Sequence, residues 1–135
     1  MFVSIALIAA GALVFVSAAV QHLNTVGSRG VGFILTDRAT PLSREGFAGR
    51  AARTLQNNLE SMGMVTPPAL VLLIADADSV IVTGAALFYA LARTGFTLSY
   101  WAGINKMRSF LWGLGMAMIA VLTVNAMLIV VAGLA

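Results

Sequence analysis

The chain has 135 residues, 60% hydrophobic and 10% charged, with a mean hydropathy of +0.96. Soluble domains carry about 25% charged residues, so this composition excludes a soluble globular protein and describes a membrane protein. The formal net charge of +3 comes from eight Lys and Arg beside hydrophobic runs, which points to topology and anion binding and away from nucleic acid.

With no cysteine, disulfides, thiolate metal sites and a protein-borne thiol nucleophile are excluded, so any thiol chemistry uses a thiol brought by a ligand. One histidine and five carboxylates give no basis for a metal site. The length accommodates a single domain, 1–135, of four spans at approximately 2–24, 50–75, 80–101 and 109–134.

Residues 2–20 carry no charge and continue into Gln21, His22, Leu23 and Asn24. The run is longer than the apolar segment of a signal peptide and lacks a basic start, which predicts a retained first span. Residues 27–49 read as a loop, rich in Gly, Ser and Thr, that carries Arg29, Arg38 and Arg44. A second helix is expected to begin near Ser43 or Arg44 and to run through a polar stretch into 62–75, bent by Pro67 and Pro68.

Asp76-Ala77-Asp78-Ser79 is a polar turn, and the third span starts near Val80. Gly103, Asn105, Lys106 and Arg108 make the next polar connection, and a fourth span from about Ser109 holds Asn125 but no charge. Every Lys and Arg lies in the first or third connection or at the adjoining helix ends. The positive-inside rule therefore places both termini outside and those connections in the cytoplasm, as expected for a bacterial inner membrane. Gly11 and the Gly113-Leu114-Gly115-Met116-Ala117 cluster would permit close helix approach and oligomerisation.

Arg50, Arg53, Asn57 and Glu60 fall within an arc of roughly 80° on a helix and form one polar stripe leading into a span. Arg50 and Arg53 also suit snorkelling boundary anchors, whereas Asn57 and Glu60 lie deeper, where an unpaired carboxylate is costly. Arg93, Phe96 and Tyr100 make a second stripe of about 60° on the third span. Glu60 is the acid placed within a helix on the same side as Arg93, so a Glu60–Arg93 contact is expected within a subunit or across an interface. Whether that pair serves only packing or also a ligand stays open from the residues alone. Arg108, at the expected start of the fourth span, suits either a topology residue or a fixed cation for a developing anion.

The spacing R-x-x-R-x-x-x-N-x-x-E from Arg50 to Glu60, a following span with Pro67, then R-x-x-x-x-x-x-Y from Arg93 to Tyr100, and then Arg108, resembles MAPEG, the membrane-associated proteins in eicosanoid and glutathione metabolism. The resemblance implies an all-α four-transmembrane-helix bundle assembled as a homotrimer, with glutathione as co-substrate bound between subunits near the cytoplasmic face. It also implies that Arg53, Asn57, Glu60 and Tyr100 hold the tripeptide and that Arg108 stabilises its thiolate. Arg29 matches an arginine that reaches in from the neighbouring subunit. Phe96 stands where several members have Tyr or His, which removes one possible hydrogen bond to the ligand.

The chemistry of the residues agrees with that assignment. Glutathione presents two carboxylates, an ammonium and a thiol, and Arg50, Arg53, Glu60 and Arg108 supply guanidiniums for the acids, a carboxylate for the amine and a cation for the thiolate. Lipids and lipophilic electrophiles or hydroperoxides would reach such a site through the bilayer, and the expected activity is that of a glutathione transferase or peroxidase. Two alternatives remain: a non-catalytic lipid-binding or scaffold member of the same fold, and a small four-span exporter. The exporter would need a deep acid without nearby arginine, and Glu60 lies among several.

Overall fold

The computed structural model describes residues 1–37 and 39–134. Arg38, one of the three arginines expected in the first connection, lies outside the described residues. These residues form five helices and no strand: α1 (Phe2–Arg29), α2 (Val31–Ile34), α3 (Gly46–Ile74), α4 (Val80–Ala102) and α5 (Asn105–Leu134). Three of them, α1, α4 and α5, are long and apolar enough to cross a membrane. Helix α3 is as long but falls outside that group, because the stretch from Arg50 to Glu60 makes its first half polar.

The boundaries differ from the sequence expectation mainly in the connections. Helix α1 continues past residue 24 to Arg29. Thr25 Oγ1 donates to Gln21 O at 2.9 Å and Ser28 Oγ to Asn24 O at 2.8 Å, so these hydroxyls bond within the helix instead of opening a loop. The expected loop at 27–49 thus contains the end of α1, the single turn of α2 and the start of α3. That start is Gly46, and Ser43 Oγ accepts from Glu45 N at 3.3 Å, two residues ahead of the N-cap position and too early to cap the helix.

Helix α3 is unbroken through Pro67 and Pro68. The carbonyls that lose donors to the two prolines belong to Gly63 and Met64, both of which are exposed. Helix α4 is capped by Ser79, whose Oγ accepts from Val82 N at 3.2 Å. It ends at Gly103, where φ is +76° and only glycine is unstrained. The third connection is correspondingly short, and Asn105, Lys106 and Arg108, expected in it, form the first turn of α5.

Helices α3 and α4 share the centre: α1 packs on both from one side and α5 on both from the other. One end of the bundle is an apolar core of Val3, Ala6 and Ala10 from α1, Val65, Ala69 and Leu72 from α3, Val82, Ala85, Ala86 and Tyr89 from α4, and Ile119, Leu122 and Ala126 from α5. Asp76 and Asp78 lie at that end beside Met1, whereas the arginine-bearing helix ends meet at the other. Gly115 lets α5 approach the buried Arg93, since a Cβ there would lie 3.2 Å from Arg93 Cδ; Gly11 and Gly113 would meet nothing within 4 Å in the chain.

Ser61 Oγ and Tyr89 Oη, both buried, are hydrogen-bonded at 3.0 Å between the core and the polar end. Tyr89→Phe is expected to cost about 1 kcal/mol in detergent unfolding, because Ser61 keeps its buried hydroxyl without this partner. Adding Ser61→Ala should cost little more, which a double-mutant cycle checks.

Candidate functional site

Helix α3 carries two adjacent stripes. Ala51, Thr54, Asn58, Ser61, Val65, Ala69 and Leu72 are buried against the other helices. The stripe expected from the sequence is turned to the side of that face, with Arg53 and Glu60 exposed and Arg50 and Asn57 half-buried. Its members tie α3 to the end of α4. Arg50 Nε donates to Trp101 O at 3.1 Å, Arg53 Nε to Tyr100 Oη at 3.1 Å, and Arg53 Nη1 to Arg44 O at 3.3 Å. Asn57 Nδ2 donates to Arg53 O at 3.0 Å and Gln56 Nε2 to Glu60 Oε1 at 2.9 Å.

The first turn of α5 completes the arrangement. Arg108 Cζ sits 4.6 Å from the ring centroid of Tyr100, and a cleft of about 240 Å³ opens between Asn57 of α3, Phe96 and Tyr100 of α4, and Arg108, Ser109 and Trp112 of α5. No acid lines it. Arg108 has no anionic partner among the described residues, so its N–H donors are available to a ligand anion. Because Tyr100 Oη accepts from Arg53, its own proton is free to donate into the cleft.

Behind the cleft lies a buried polar cluster. Arg93 Nη2 donates to Asn58 Oδ1 at 2.6 Å and to Asn57 O at 3.0 Å, and its Cζ lies 4.3 Å from the Phe96 ring centroid. Asn58 Nδ2 donates to Ser17 Oγ at 2.9 Å and Thr97 Oγ1 at 3.0 Å, so one carboxamide joins α1, α3 and α4.

The MAPEG family model matches residues 1–128 of the chain. This protein belongs to the MAPEG family. No curated protein and no solved structure gives a significant match. MAPEG membership together with the apolar helices makes it an integral membrane protein, and at the level of the family it supports a glutathione-related membrane function.

In this MAPEG chain, the structure brings Asn57, Tyr100 and Arg108 to one cleft, with Arg53 attached through Tyr100 and Arg50 anchored to the adjoining turn. Glu60 lies farther along the same side of α3. The direct Glu60–Arg93 pair expected from the sequence is absent within the chain. Arg93 is satisfied by a carbonyl, a carboxamide and a ring, while Glu60 is held by Gln56 on the exposed side. Arg29 is also apart. It stacks at 5.7 Å on Phe33 and lines a separate cleft of about 350 Å³ with Gln21, Asn24, Ser28, Ser43 and Phe47.

Sequence reasoning missed Asn58, Ser17 and Thr97. The available signal was the run Thr54, Asn58, Ser61, Val65, spaced by four, three and four, which marks a core face containing polar groups. Trp112 is a further wall of the cleft.

Proposed function

We propose that this MAPEG protein is a glutathione-dependent membrane transferase or peroxidase acting on lipophilic electrophiles or hydroperoxides. The observation that carries the reading is Arg108, a guanidinium stacked on Tyr100 at the edge of a cleft without acids and with no anionic partner among the described residues. An Arg so placed is a preorganised cation for a thiolate. In this reading Arg50 and Arg53 take the carboxylates of glutathione, Glu60 its ammonium, and Asn57 and Tyr100 orient the peptide.

Four spans, α3 included, form one domain, and three subunits assemble around the sites. Exposure of Arg53 and Glu60 supports this assembly, because a charged side chain costs about 2.5–3.5 kcal/mol in a span unless it is covered by polar partners. Arg29, distant from the cleft in its own chain, reaches the neighbouring subunit's site. Both termini lie outside and connections one and three in the cytoplasm of a bacterial inner membrane, as the arginine-rich end implies.

With an aryl halide the thiol proton leaves to water, the thiolate sulfur forms a bond to carbon, and the halide departs with the electrons of the broken bond. With a hydroperoxide the thiolate is oxidised to a sulfenic acid as the O–O bond breaks, and the departing alkoxide takes a proton from water to become an alcohol; a second glutathione then closes the disulfide and releases water. In both reactions the protein contributes positioning and thiolate stabilisation.

Calorimetry of the detergent-purified protein should show saturable glutathione binding, and an aryl halide should be conjugated. Absence of saturable binding would sink the enzyme reading and favour the non-catalytic lipid-binding one.

A further inference from the structure

Arg93 is 2% exposed and does not line the cleft, yet it contacts what builds the cleft from behind. Two cations bracket two rings in a column: Arg93 Cζ lies 4.3 Å from the Phe96 centroid, and Phe96 meets Tyr100 edge-to-face at 5.4 Å and 85°. Arg108 Cζ closes the column at 4.6 Å from the Tyr100 centroid.

The same guanidinium holds Asn57 O at 3.0 Å, and the Asn57 side chain is another wall of the cleft. The aliphatic stem of Arg93 lies against Gly115, about two turns along α5 from Arg108. One buried side chain thus touches α3, Phe96 of α4 and the helix that carries Arg108.

We infer that Arg93 is a positioning residue, which sets the Phe96–Tyr100 pair and, through it, the Arg108 guanidinium at the cleft. The charge of Arg93 needs no carboxylate for this role, since Asn57 O and Asn58 Oδ1 accept from it and the Phe96 face stabilises it. Its planar guanidinium matters because a lysine ammonium keeps the charge and donors but has no flat face to stack on a ring. The kinetic consequence rests on the proposed glutathione chemistry, whereas the structural consequence does not.

The test compares wild type with Arg93→Lys in detergent, using ¹⁵N-arginine labelling and glutathione kinetics together. In wild type the Arg108 side-chain N–H signal, assigned by its loss in Arg108→Ala, should be displaced by the Tyr100 ring current. In Arg93→Lys it should move towards the position of free arginine. Glutathione affinity should stay within about threefold while kcat for conjugation falls about tenfold, as for a displaced catalytic group.

An unchanged Arg108 signal overturns the inference. So does a loss of affinity that matches the loss of rate, which would make Arg93 a ligand contact. If Arg93→Lys does not fold, Gly115→Ala displaces the Arg93 stem by a Cβ and should move the same signal. Failure of the wild type to bind glutathione would remove the proposed function, while the arginine signal would still decide whether the column positions Arg108.

Discussion

Replacing Arg108 by alanine is expected to lower the conjugation rate about 100- to 1,000-fold, the usual cost of removing a preorganised charge-stabilising donor. Arg108 enters the cleft from the first turn of α5 and is oriented by the Tyr100 ring. The anchors assigned to the peptide, Arg50, Arg53 and Glu60, lie on α3 and bond to Trp101, Tyr100, Arg44 and Gln56, not to Arg108 itself. Glutathione affinity should therefore change far less than rate, while the thiolate difference absorbance of bound glutathione near the ultraviolet edge disappears. Loss of Arg108 from the site with an unaltered thiolate signal would assign the thiolate to another cation, and Arg53 would be the next to test.

Asn58→Leu should be the most destabilising of these changes, by about 3 kcal/mol in detergent unfolding, because it leaves a buried cation without its nearest acceptor. Leucine fills a similar volume, so the cost arises from Arg93, Ser17 and Thr97 and not from a cavity. Asn58→Asp separates the two effects. Its carboxylate accepts from Arg93 directly, and the hydroxyls of Ser17 and Thr97 can rotate to donate to it. It is expected to stay within about 1 kcal/mol of wild type. Equal destabilisation by both substitutions would show that the buried cation does not dominate the cost.

Much of the candidate site was legible because helical spacing is a local property. Arg50, Arg53, Asn57 and Glu60 share one side of α3 as the spacing requires, and Arg93, Phe96 and Tyr100 share one side of α4. Within one chain the difference lies in which residues meet. Asn57 and Asn58 are neighbours in sequence but about 100° apart on the helix, and packing by α1 and α4 places Asn58 inside and Asn57 at the edge.

Arg93 reaches the Asn58 face, from which Glu60 lies about 160° around the helix. A charge-based reading of the sequence favoured the carboxylate because it gives no weight to a backbone carbonyl or an amide oxygen as acceptor. The connections were misread for a related reason: Gly and Ser at 27–29 suggest a loop, but a helix already propagating from an apolar run continues cheaply through them.

The membrane class, the long apolar helices, the concentration of arginines at one end and the two polar stripes were determined by the sequence alone. These follow from composition and from the 3.6-residue period, which need no knowledge of neighbours. Only the tertiary structure decided that Arg93 is held by Asn58 and the Asn57 carbonyl, that Arg108 stacks on Tyr100, and that Arg29 stands away from them within the chain. The helical period fixes the width of a stripe, but its rotation and its partners depend on how four long helices pack side by side.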